Sequence, residues 1–326
     1  MQHRRHLLAA AATAGVGAAL AGGRPTLAQA QQRFSSLYMF IPAAPGGGWD
    51  GLGRAIELAA RGAGLVGNFQ FDNVGGAGGA VGLPRFVGQR RGRPDSLMVA
   101  GSIMVGATLT NKTPVGLKDV TPIARLTDEV GVVVVPAASE IRDIGGFLAA
   151  LKANPGGTSV GGGSAGGTDH ITLGLMLKAL GRSAREASYV AFAGGGPAQA
   201  AIMGGQVKAG ISGLSEFIEQ VKGGRMRALA TTGAERTVPD IPTLKESGVD
   251  VVITNWRGVF GAPAIRADAR EKLVALMTEL HALPAWQDIL RTRDWNDAFL
   301  TGPDLDAFLE RDRALTETVL KEIGLA

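Results

Sequence analysis

Residues 161–170, GGGSAGGTDH, set a serine, a threonine, an aspartate and a histidine on one glycine loop. The loop follows a β-type run at 158–160 and opens a helix-type run at 171–180. Such a loop turns backbone N–H groups outward at the positive end of a helix, a seat for an anion of carboxylate size. The same grammar recurs in PAAPGGGWD (42–50), NVGGAGGAVGL (73–83) and AFAGGGPAQA (191–200). Each loop alone also fits tight turning and close strand–helix packing. Four of them, each after a β-type run, point to one pocket walled by backbone amides at the carboxyl ends of strands.

Other chemistries compete for these residues. Gly161, Gly163 and Gly166 satisfy G-x-G-x-x-G with Glu186 about 20 residues on, the dinucleotide fingerprint, but an exported chain rarely carries that cofactor. No Gly-Lys-Ser/Thr follows to make a P-loop. Residues 162–166 satisfy the G-x-S-x-G elbow, which makes a serine hydrolase using Ser164 the leading enzyme alternative. After the leader only His170 and His281 remain. His170 lies six residues from Ser164, poorly placed for a triad, and the two histidines make no metal cluster. No catalytic residue, metal or cofactor is therefore assigned. Trp49 reads as a pocket wall or a packed aromatic. Asp50 and Asp169 read as helix N-caps ahead of ligand groups, and as caps they would still order the loop amides.

The elements that must hold these loops alternate. Strands are expected at 37–41, 68–72, 97–101 (ending at Ser102), 131–136, 188–192, 208–212, 228–232 and 251–253, besides 158–160. Helices are expected at 50–63, 78–89, 144–154, 171–180, 197–203 and 215–222, then three helical runs after the NWRGVFGAP segment (255–263), the last at 304–323. This rhythm predicts βαβ units and mainly parallel sheets covered on both faces.

Composition agrees with a packed globular chain. Of 326 residues 45% are apolar and 19% charged, and the 49 glycines are far above usual frequency. Arg4 and Arg5 precede an apolar run at 7–20, and Ala28-Gln29-Ala30 fits a cleavage site, so residues 1–30 read as an export signal of the twin-arginine or ordinary secretory kind. Its loss lowers the net charge from +4 to +1, which leaves no basic surplus for nucleic acid. With no cysteine, thiol chemistry and disulfides are excluded.

Taken together, APGGGWDGLGRAI (44–56), VGGAGGAVGL (74–83), TPIARL (121–126), GGSAGGTDH (162–170), GGGPA (194–198), PTLKESGVDV (242–251) and NWRGVFGAP resemble the extracytoplasmic solute-binding proteins of tripartite tricarboxylate transporters. The resemblance spans the mature chain. It implies the type II periplasmic binding-protein fold, two α/β lobes joined by two hinge strands, with lobe 1 at 33–133 and 232–326 and lobe 2 at 134–231. It implies a periplasmic monomer that takes a small di- or tricarboxylate to a two-subunit membrane permease, or alternatively a periplasmic ligand-sensing partner of a receptor. The contacts it implies are Gly46, Gly47, Gly48 and Trp49 in the first loop, and Ser164, Gly166, Gly167, Thr168 and Asp169 in the central one. Asp50, Ala77, Gly78, Ser102, Ala165, Gly194 and Gly195 complete the expected ligand-binding set.

Overall fold

The computed structural model describes residues 32–326; the export-signal reading of residues 1–30 lies outside the described residues. The first βα units are β1 (Phe34–Ile41), α1 (Gly48–Gly62), β2 (Val66–Asn73), α2 (Gly82–Gln89), β3 (Ser96–Gly101) and α3 (Ser102–Thr110). β1 pairs in parallel with β2 and β3. β3 is buried at every residue, as expected of a strand covered on both faces.

β4 (Thr121–Pro136) is the long strand of the molecule, 16 residues. The second series follows: α4 (Ile144–Ala153), β5 (Val160–Gly162), α5 (Thr168–Ala179), β6 (Tyr189–Ala191), α6 (Gly195–Met203), β7 (Ala209–Gly213), α7 (Leu214–Lys222) and β8 (Met226–Thr231). The chain returns through β9 (Thr254–Gly261) and closes with α8 (Ala267–His281), α9 (Pro284–Thr292), β10 (Asn296–Leu300) and α10 (Gly302–Glu322).

One path runs β2-β1-β3-β9-β4-β7-β5-β6, with β8 and β10 also on β4. The first ten residues of β4 pair with β9, while Val132 to Pro136 pair with β8. β4 therefore belongs to both lobes. Its valines show why the far half is so apolar: Val133 and Val135 enter one core with Leu173 and Ile211, and Val132 and Val134 enter another with Ile202 and Phe217. Successive side chains point to opposite faces, so a strand with helices on both sides must be apolar throughout. A separate large cluster, from Leu37 and Phe40 to Trp286 and Trp295, fills the first lobe. α10 spans the two: Phe308 and Leu309 pack against the first-lobe core, while Leu320 packs with Ile171 and Ala184 of the second.

Several local expectations need correction. The strand expected at 251–253 is not one; the strand begins at Thr254 and is the NWRGVFG run itself. The three terminal helical runs enclose β10, an edge segment on β4 that no apolar alternation announced. Pairing is parallel within each βα series but antiparallel wherever β4 or β9 takes part. Chain reversal at the crossing strands imposes that, and it is the arrangement of two α/β lobes joined by hinge strands.

Candidate binding site

The helix starts were read correctly in kind and wrongly in residue. Gly46 takes φ 84°, a left-handed turn that L side chains rarely adopt, and Gly47 is the N-cap of α1. Asp50 sits in the first turn instead, where its carboxylate accepts the Gly46 N–H at 3.2 Å and the Asn73 amide at 3.1 Å. Likewise Gly167 caps α5, and Asp169 in its first turn accepts the Gly163 N–H at 2.7 Å. Both acids order their loops by reaching back from the first turn, three residues past the cap for Asp50 and two for Asp169.

These loops meet across a cleft with a water-accessible volume of about 40 Å³. Of the expected set, Gly47, Gly48, Trp49, Gly78, Asp169, Gly194 and Gly195 line it, with Ala43, Ile103, Gly163 and Ser212 between them. The lobes touch at its rim, where the Ala44 N–H donates to the Ala193 carbonyl at 3.3 Å.

The remaining expected residues stand around the cleft without lining it. Gly46 and Asp50 form the turn behind Gly47, and Ala77 belongs to the 3-10 turn beside Gly78. The Ser102 hydroxyl donates to Asn255 at 2.7 Å. Residues 164–167 pack against the first lobe: a Cβ on Gly78 would stand 2.9 Å from the Ser164 hydroxyl, and one on Gly106 would strike the Gly166 carbonyl. Ala165 rides on that turn, and Thr168 lines a smaller space beside Gly131 and Thr232.

Three charged residues of the site escaped the sequence reading. Arg257 of β9 lines the cleft although its side chain is only 1% exposed. It pairs with Glu129 of β4, and it donates to Glu216 of α7 at 3.0 Å. Glu129 in turn accepts the Ser215 hydroxyl, which accepts the Trp295 indole N–H at 3.0 Å. Arg257 Nε and Nη1, Glu216 Oε2 and Trp49 Nε1 are buried without a hydrogen-bond partner. Burial is the main cause that pushes the Glu216 carboxyl up to about 8; Arg257 opposes it, and Glu129 and Asp169 reinforce it. Burial likewise pushes Asp169 up to about 6, against the Gly163 N–H. The Arg257 guanidinium is opposed by burial, but the two glutamates hold it above its ordinary value. A signal existed in the sequence: one arginine within the NWRGVFG run, and one glutamate two residues before GVVVVP.

The profile of the tripartite tricarboxylate transporter family receptor matches residues 64–325. The chain belongs to that family. A UPF0065 protein from the gbd 5' region of Cupriavidus necator is 27% identical, covering 99% of this chain and 98% of that one. Among solved structures, periplasmic binding protein BugD superposes with a TM-score of 0.80 at 21% identity, over 89% of this chain and 98% of that one. MatC from Rhodopseudomonas palustris with bound malate gives 0.75 at 22%, over 87% and 98%. The fold is thus the type II periplasmic binding-protein fold, and this receptor's family binds solutes rather than catalysing reactions.

The side chains of the elbow motif fit that role. The Ser164 hydroxyl has no hydrogen-bond partner. His170 Nδ1 accepts the Gly166 N–H at 3.2 Å, its ring stacks on Tyr189, and burial holds it down at about 4. His281 pairs with Asp297 at 2.8 Å. No helix among the described residues is long and apolar enough to cross a membrane.

Proposed function

We propose that this receptor works in the periplasm, closes its two lobes on a small di- or tricarboxylate, and delivers it as a monomer to a two-subunit permease. The observation that carries this reading is the cleft itself: helix N-termini from both lobes and the buried, unpartnered N–H groups of Arg257 and Trp49 converge on one small space. Malate and adipate are the acids bound by two relatives of the same fold, which supports the ligand class.

The magnitudes suffice. Charge-assisted hydrogen bonds contribute roughly 1.5–3 kcal/mol each, so four or five, less the cost of ordering, reach about −8 kcal/mol, a micromolar complex. Within the binding set, Gly47, Gly48, Trp49, Gly194 and Gly195 are assigned direct contact, and Ser164 to Thr168 are assigned to shaping the closed state. We draw the lobe boundaries at Gly131 and Thr254, since Leu244, Val249 and Val251 pack in the second-lobe core.

A thermal-shift screen of mono-, di- and tricarboxylates tests the reading, because a ligand that binds only the native state must raise the melting temperature. Dicarboxylates or tricarboxylates should raise it in a concentration-dependent way. A screen in which only uncharged solutes stabilise the protein would overturn the ligand class.

A further inference from the structure

Helix N-termini that face a cleft are seats for an anion, and one seat here is already taken by the protein's own carboxylate. Glu216 reaches from α7 to the first residues of α1 and α6. A Cβ on Gly48 would stand 2.6 Å from Glu216 Oε1, and one on Gly195 would overlap Oε2. Oε1 accepts from Arg257 at 3.0 Å, while Oε2 is buried and unpartnered. Beside it, Arg257 keeps Nε and Nη1 free, two charged donors on different sides of the guanidinium, while Nη2 is taken by the two glutamates.

Charge is the difficulty this geometry poses. Around the single Arg257 stand Glu216, Glu129 from β4 and Asp169 from α5, with Arg293 acting on Arg257 from beyond α9. A ligand carboxylate accepting from a free N–H of Arg257 would add a fourth acid to the three that face one guanidinium. In a buried site such like charges cannot all stay ionised, and one must take a proton.

We propose that Arg257 and Glu216 form a side-chain subsite for the second carboxylate of a dicarboxylate ligand, and that the ligand seats there with uptake of one proton. Glu216 is the acceptor, through its unpartnered Oε2. The proton comes from solvent as the lobes close, and the neutral carboxyl then donates to the ligand oxygen. Burial already holds Glu216 near this change, at about 8. The proposal rests on the carboxylate-receptor reading and names the groups that would set its specificity.

The test is calorimetric titration of the full receptor with malate and with adipate from pH 6.5 to 9.5. Each pH is run in two buffers of unlike ionisation heat, so that proton uptake is read directly. Both acids are ionised throughout that range. Uptake should be small at pH 6.5 and approach one proton per ligand at pH 9, with affinity falling toward tenfold per pH unit above about 8. Glu216→Gln should bind with an affinity independent of pH from 7 to 9.5, take up no proton, and exceed the wild type at pH 9 by roughly tenfold. Arg257→Lys keeps a charge beside Glu129 but loses the separate Nε and Nη1 donors; it should weaken malate about tenfold and retain the uptake.

Binding without proton uptake at pH 9, or the wild-type pH profile in Glu216→Gln, overturns the subsite. Should that variant fold poorly, the wild type still decides: malate added at pH 9 must raise a protonated-carboxyl band in the infrared difference spectrum, and its absence overturns the proposal. Absence of binding by any dicarboxylate at any pH overturns the receptor reading itself, together with the subsite.

Discussion

The Thr232 hydroxyl accepts the N–H of Gly131 at 2.7 Å, tying the segment after β8 to the middle of β4. The same hydroxyl donates to the Ile253 carbonyl at 2.6 Å, one residue before β9. One buried side chain thus joins both chain crossings between the lobes. Thr232→Val keeps the shape and removes both bonds. It should cost about 1–3 kcal/mol in urea unfolding, since the Gly131 N–H and Ile253 carbonyl each lose a partner. A variant as stable as the wild type would show that the crossings are held elsewhere.

Asp169 makes stability depend on pH with a definite sign. Its folded value of about 6 exceeds that of the unfolded chain, so the native state binds the extra proton between them. Its contribution is fully present below about 3.9 and is lost as pH rises through about 6, leaving an ionised buried carboxylate that costs on the order of 3 kcal/mol. Asp169→Asn keeps an acceptor for the Gly163 N–H and removes the charge. The melting temperature of the variant relative to wild type should be higher at pH 8 than at pH 4. An equal offset at both would contradict the assignment.

Gly48 is a cleft position with no room for a side chain. A Cβ there would run into the guanidinium of Arg257, which is too buried to move aside. Gly48→Ala should therefore lower carboxylate affinity at least tenfold, read by calorimetry. Gly62→Ala at the far end of the same helix meets nothing within 4 Å and should change stability by less than about 1 kcal/mol and affinity not at all. Equal effects at the two positions would remove Gly48 from the binding wall.

Trp49 lines the cleft with its indole N–H unpartnered, whereas Trp295 already donates to Ser215. Ligand binding should shift the intrinsic fluorescence, and Trp49→Phe should abolish that shift. A shift that survives would come from another tryptophan and place the ligand away from α1.

Much of this was legible because the strongest sequence signals are local. The glycine loops, with strand before and helix after, gave the βα units and the ends of the strands where the cleft lies. The acids Asp50 and Asp169 were found for the right reason, order in the loop amides, although glycines serve as the caps. What escaped depends on distant pairing. Arg257 sits in a strand buried from Asn255 to Gly261, and only the register of β9 on β4 brings it to Glu129. Glu216 reads as an ordinary charge in the first turn of α7, and only the tertiary fold carries it to Gly48 and Gly195. β10 has no alternation of its own and is a strand because β4 offers it an edge.

Capture of a small carboxylate between the two lobes is the property proposed for this receptor. Calorimetric titration of the acid that most raises the melting temperature measures that capture directly. One saturable site per chain, a dissociation constant of roughly micromolar order and ligand recovered unchanged are the predicted result. Heats that do not saturate for any mono-, di- or tricarboxylate, or an acid consumed during the titration, would contradict it.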